Sequence, residues 1–296
     1  MKLSPGQIAE ALKRVATGSG AAEKFSVARA RSAGEPILWQ EKISLALGGQ
    51  AGYSTLRSFV DAGGVPIGVW DAPAEGAVVQ AVATALLESK FWELGAEPMA
   101  PGAEVTTWSC ATRDGDFALS ANEGADLFMQ MARVDLELRR SANSLVASGN
   151  GAALSCGLEL ANTGRVTVAR ISLANEGRRD CQIQNPLKGE AGPNAFLRLE
   201  LGPLPRAEHG VTGPDVAFAP LPLPEIKELV APWDQPVLVL RAGEKLACPF
   251  KHDIATSDYE GHYVRAVYSH YGTAILKPEL PRIRGRVFSV ERQLKG

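Results

Sequence analysis

The sequence predicts an α+β N-terminal domain, antiparallel strands with one main helix, over residues 1–147, followed by an all-β sandwich over residues 153–296. Three observations predict it. The first half mixes short alternating apolar runs with one long helical stripe. The second half is a succession of short alternating runs punctuated by Gly, Pro and Asn, with no helix longer than a turn or two. Between them lies Ser148-Gly149-Asn150-Gly151-Ala152-Ala153, small, polar and glycine-bearing, the composition of a domain boundary.

The elements follow in order. Ser4 caps and Pro5 opens a short amphipathic helix in which Ile8, Leu12 and Val15 recur at helical spacing, with Gly18 as its stop. Residues 18–35, small and polar with scattered arginines, read as irregular chain around at most one short element. From Ile37 two antiparallel strands are expected, Ile43 and Leu45 in the first and Tyr53 to Val60 in the second, joined by a bend at Gly48-Gly49 and closed by Gly63-Gly64. Residues 74–94 form the main helix, with Val78, Val82, Ala85, Leu86 and Trp92 on one stripe. Residues 105–111 and 117–121 flank Arg113-Asp114-Gly115-Asp116, where Asp-Gly suits a hairpin turn because glycine tolerates positive φ. Residues 134–140 read as a half-exposed strand, with a helix over 126–138 as competitor because Leu127, Met131 and Val134 are also at helical spacing. In the second half, strands are expected over 154–160, 166–173, 180–184, 196–201, 237–240, 246–250, 263–271 and 286–290. Thirteen of the 19 prolines follow residue 180, densest in 219–236, which places a connection rather than a central strand there.

Composition excludes several classes. Hydrophobic residues are 45%, charged residues 22% and the net charge is -2, ordinary for a globular protein and opposed to one that coats nucleic acid or an anionic membrane. Residues 1–20 lack a secretory signal and no window reaches the ~18 apolar residues of a membrane span, so a cytoplasmic protein is expected. Four cysteines without a CxxC pair rule out a disulfide-dense scaffold and a zinc ribbon.

Two resemblances emerge from particular residues. Leu47-Gly48-Gly49-Gln50-Ala51-Gly52-Tyr53, followed by Phe91, Trp92 and Leu94 and then by residues 105–119, resembles the emfourin-like inhibitors of thermolysin-like metallopeptidases. The plain reading of the glycines is a bend with unusual φ/ψ. In the second half, Leu173-Ala174-Asn175-Glu176-Gly177, Ala242-Gly243-Glu244, the Gly261 to Tyr268 stretch of G-x-Y-x-x-x-x-Y pattern and Gly285 to Ser289 resemble bacterial immunoglobulin-like modules. That resemblance implies a fold, because such sandwiches mainly bind or space other molecules.

Motifs that carry chemistry are scarce. His262 and His270 share a strand face but stand roughly 26 Å apart at ~3.3 Å per residue, too far to ligate one metal. His252 with Asp253, and Asp258 with Glu260, read as a solvated loop. Alternation points Cys156, Cys181 and Cys248 inward as packing residues, a Cys181–Cys248 pair in an oxidising compartment being left open. Cys110 shares a face with Trp108 and has no histidine near it in sequence. No G-x-S-x-G, Walker A, H-E-x-x-H or G-x-G-x-x-G motif occurs. Arg282, Arg284, Arg286 and Arg292 read as guards on an edge strand rather than as a nucleic-acid patch.

The expectation is therefore a non-enzymatic protein-binding chain with no cofactor, no metal and no nucleic-acid or membrane partner. Its partner is another protein, a peptidase in the form the first resemblance implies. Binding falls to Gly48, Gly49, Gln50, Gly52 and Tyr53 at the bend and to Arg113, Asp114 and Asp116 at the hairpin tip. The alternatives are a hydrolase with a site at the domain junction and an immunity protein that neutralises a toxin.

Overall fold

In the computed structural model the described chain excludes residues 1–4, 20–23, 34–38, 56–65, 95–103, 114, 123–124, 149, 189–195, 203–217, 222–225, 227, 271–276 and 296. The expected cap Ser4, the strand residues Ile37, Val60 and Tyr271, Gly63-Gly64 and the binding residue Asp114 lie outside it. The fold is built mostly of antiparallel sheets with few helices. Two compact units form: Met1–Thr55 with Val69–Gly151, and Leu56–Gly68 with Ala152–Gly296.

The first unit begins with helix α1 (Pro5–Ala16), which buries Ile8, Ala11, Leu12 and Val15 and ends at Gly18 in the left-handed region, φ 74°. Strand β1 (Phe25–Ala33) then runs where irregular chain is expected. Its inward positions are Phe25, Val27, Arg29 and Arg31, so two arginines stand where a strand normally shows apolar residues. Strands β2 (Trp39–Ala46) and β3 (Gln50–Thr55) form the expected glycine-bent hairpin, and β4 (Ile67–Pro73) follows. Of the bend glycines only Gly48 needs positive φ, 63°.

Helix α2 (Gly76–Ser89) stops short of the expected Leu94. Lys90 turns left-handed (φ 46°, ψ 41°) and Phe91–Glu93 is one 3-10 turn that buries Phe91. Strands β5 (Val105–Thr112) and β6 (Gly115–Asn122) make the second expected hairpin. Residues 134–140 are not a strand. They belong to α4 (Ala132–Ser148), which follows the short α3 (Asp126–Gln130) and buries Val134, Leu138, Ala142 and Leu145 at helical spacing. Across these strands the order is β4-β3-β2-β1-β5-β6. Helix α1 packs on α2, α2 on α4, and α4 on β2 and β3, leaving the opposite sheet face without a helix of this unit among the described residues.

The expected boundary segment is structured at both ends: Ser148 closes α4 and β7 (Gly151–Asn162) opens at Gly151, with Ala152 and Ala153 buried. In the second unit β7 pairs with β8 (Val166–Asn175). The remaining strands are β9 (Cys181–Gln184), β10 (Leu197–Gly202), β11 (Ala219–Leu221), β12 (Val237–Leu240), β13 (Lys245–Ala247) and β14 (His252–Ala255), then β15 (Tyr263–His270), β16 (Gly285–Phe288) and β17 (Arg292–Gln293). A one-turn helix, α5 (Thr256–Tyr259), separates β14 from β15. The expected strand over 246–250 stops at Ala247 and resumes at His252, both pieces pairing β8. Pro249 lies in the gap and has no N–H to give the ladder. A second sheet runs β11-β10-β15-β16, with β17 also on β15, and β12 pairs β9. Alternate residues of these sheets meet in one apolar core that includes Leu154, Leu173, Leu199, Ile183, Leu240 and Ala266.

Candidate functional site

On the helix-free face of the first unit the side chains are small. Cross-strand register puts Gly52, Ser44, Ala28, Ser109 and Ala118 in one row across five strands, and Ala46, Ser26 and Ala111 in the next row, which ends at Asp116. At ~4.8 Å spacing the first row, across five strands, is ~19 Å long and the second, across four, ~14 Å. At the β3 end of the first row Gly52 stands close to Ser44, where a Cβ would lie 3.0 Å from Ser44 Oγ. The result is a groove of ≈ 540 Å³, with Gln50 and the exposed Lys42 toward β2 and β3 and Asp116 at the far strand.

The residues expected to bind are distributed unevenly around it. Gln50 and Asp116 line the groove from opposite sides. Gly48 and Gly49 form the turn beyond Ala46, where Gly49 N–H donates to Ala46 O, and Arg113 is exposed in the turn beyond Thr112. Both turns therefore sit at the same end of the sheet. Gly52 pairs with Ser44 at the end of the first row and does not line the groove. Tyr53 does not belong to this surface: strand alternation turns it to the helix side, where it stacks on Trp70 with ring centroids 5.2 Å apart.

That helix side holds a feature the sequence reading missed. Arg29 is fully buried, its Nε donating to Asp135 of α4 and its Nη1 to Glu41 of β2. Arg139 Nε donates to the other Asp135 oxygen at 2.7 Å, and Tyr53 Oη donates to Glu41 Oε1 at 3.2 Å. Burial, followed by the neighbouring Glu41 carboxylate, pushes the Tyr53 hydroxyl well above the ordinary phenol range, so it stays a donor at any physiological pH. Arg31 pairs with Glu104 on the same face. Each carboxylate is matched by a cation or a hydroxyl, so the cluster fastens α4 to the sheet and stiffens the platform that carries the groove.

In the second unit buried amides tie loops to strands. Asn175 Oδ1 accepts from the N–H groups of Ala153 and Gly177, and its Nδ2 donates to the carbonyls of Arg179 and Leu240. Arg265 lies over the rings of Phe218 and Phe288, at 3.8 and 4.5 Å from their centroids, while donating to Glu200. The four cysteines are free thiols. Burial pushes Cys110, Cys156 and Cys181 up to about 12 and Cys248 higher still, which leaves them protonated packing groups. His262 meets Tyr259 edge-on and His270 lies against Phe196. Among the described residues no three His, Cys, Asp or Glu side chains gather as metal ligands, and no helix is long and apolar enough to cross a membrane. No protein-family model matches the chain and no curated protein is similar to it.

Proposed function

We propose that the chain is a non-enzymatic protein-binding module whose docking surface is the small-residue groove of the first unit and the two turns at its end. One observation carries the reading: turns separated by more than sixty residues in sequence, Gly48-Gly49 and the Arg113 tip, stand at one end of one sheet, with the ≈ 540 Å³ groove running up to Gln50 and Asp116. A floor of Ser and Ala lets a partner's side chains approach the strand backbone closely. Turn residues that project beyond it supply contacts without chemistry of their own. The emfourin-like resemblance of this segment supports a metallopeptidase as the partner, because two adjacent tips on a stiff platform suit the blocking of a cleft. The second unit, which we assign to the immunoglobulin-like sandwiches, spaces or presents the first.

The test uses the full chain against a panel of thermolysin-like peptidases. Stoichiometric inhibition at micromolar concentration is expected, and Ala28→Trp or Ser109→Trp, which fill the floor, should weaken it about tenfold or more without moving the melting temperature. No inhibition anywhere in the panel removes the peptidase. Inhibition that both fillings leave intact removes the groove.

A further inference from the structure

The second unit has a cleft of its own, ≈ 560 Å³, lined by β7 and β8 on one side and by residues 291–295 on the other. That volume falls within the ~300–1,000 Å³ of small-molecule sites. Its floor is apolar. Leu158 and Leu160 continue the alternation of Leu154 and Cys156, which face the core, and Leu294 is buried in the same core.

The charges around this floor are sorted by face. Glu159 is one residue out of phase with Leu158 and Leu160 and so turns to the other side of its sheet. There Lys245 Nζ donates to its Oε1 at 2.9 Å and holds the carboxyl below its ordinary value. Glu291 is drawn the same way, to 3.8 Å from Nη1 of Arg265, whose neighbours Val264 and Ala266 take the core side. Arg292 does the reverse. Its cross-strand partner is Val264, so it shares the face of that core residue and of Leu294, and it lines the cleft. Asn162 Nδ2 donates to Lys295 O at 2.7 Å, tying the wall that carries both cations to the end of β7.

A second observation concerns partners. Each buried arginine of the described chain has a carboxylate: Arg29 has Glu41 and Asp135, Arg31 has Glu104, and Arg198 and Arg265 share Glu200. Arg292, turned to a core face, has no ion pair and no side-chain hydrogen bond among the described residues, and neither has the exposed Lys295 ammonium beside it. Two cations without counter-charges therefore border an apolar floor, while both carboxylates at the cleft are held on the far faces.

We infer that this cleft binds an amphipathic carboxylate of fatty-acid type, its head on Arg292 and Lys295 and its chain along Leu158, Leu160 and Leu294. A guanidinium takes both oxygens of a carboxylate at once. Neither half of the ligand suffices alone: an exposed cation gains little from a lone anion in water, and an uncharged chain leaves Arg292 without its acceptor.

The experiment is calorimetric titration of the full chain with octanoate, with acetate as the head alone and 1-octanol as the chain without the charge. One octanoate per chain is expected, with acetate and octanol at least tenfold weaker. Arg292→Gln should weaken octanoate about tenfold or more, the loss of a charge-assisted pair. Arg292 is exposed and bonded to nothing, so the melting temperature of this variant should stay in place. Methyl NMR of the native chain with octanoate should put the largest shifts on Leu158, Leu160 and Leu294. Heat that does not saturate, octanol as tight as octanoate, an affinity that Arg292→Gln leaves intact, or methyl shifts centred elsewhere would each overturn the assignment.

Discussion

Replacing Arg29 by methionine removes the one cation that Glu41 and Asp135 share beneath the sheet. Arg29 is 0% exposed, and the Glu41 and Asp135 side chains are 14% and 9% exposed. Breaking a buried pair by deleting one partner costs about 3–5 kcal/mol, because the remaining charge stays out of water. Here Asp135 keeps Arg139 and Glu41 keeps Tyr53, which places the cost near the low end, about 3 kcal/mol. At roughly 3 °C per kcal/mol the melting temperature falls by about 10 °C. Urea unfolding followed by tryptophan fluorescence measures this directly, since Trp70 stacks on Tyr53 and Trp108 stands opposite Arg29 in the β1–β5 register. Arg29→Met combined with Glu41→Leu and Asp135→Leu should recover at least half of the loss, because apolar groups need no counter-charge. A cost below about 1 kcal/mol for the single variant, or a triple variant no better than the single, would mean that these charges are hydrated in the native protein and refute the reasoning.

Asn175→Ala deletes four hydrogen bonds at a fully buried position and should cost about 3 kcal/mol in chemical denaturation; a loss under about 1 kcal/mol would show that the turn holds without them. Alkylation of the native protein at pH 8 should be about 10³-fold slower than for a free thiol at Cys110, Cys156 and Cys181, whose thiols burial pushes up to about 12. Peptide mass spectrometry showing one of them labelled at the free rate would contradict that. Burial lowers the pKa of His252 against the opposing pull of Asp253, and burial together with Arg282 lowers that of His270. The unfolded chain then binds more protons, so their contribution is complete above the unfolded value of about 6.5 and is lost as the pH falls from there through the lowered folded values. The melting temperature should drop between pH 7 and 5, and His252→Asn with His270→Asn should flatten the slope; an equal slope in the double variant would place the acid sensitivity elsewhere.

Local signals alone determined several parts of this protein. Helix α1, with Ile8, Leu12 and Val15 on one side and Gly18 at its end, and the hairpins β2–β3 and β5–β6 are legible because alternation, spacing and turn chemistry are written within a dozen residues. Most strands of the second unit are legible for the same reason, and Pro249 explains where one of them breaks. What tertiary structure decided is what depends on distant partners. Strand β1 hides from a sequence reading because Arg29 and Arg31 occupy its inward positions. They are tolerable there only because Glu41, Asp135 and Glu104 arrive from other elements, Asp135 from 106 residues away. The segment around Leu136 and Leu138 fits both periods; packing chose the helix by burying Leu138 with Val134 and Leu145 and leaving Leu136 48% exposed. The candidate groove follows the same division. Gln50, Gly52 and Asp116 are visible as neighbours of turns, but only the insertion of β1 between β2 and β5 brings the two hairpins into one sheet with both tips at one end. Strand order is set by long-range pairing and by the buried charges beneath it, and neither leaves a mark in the residues of the turns themselves.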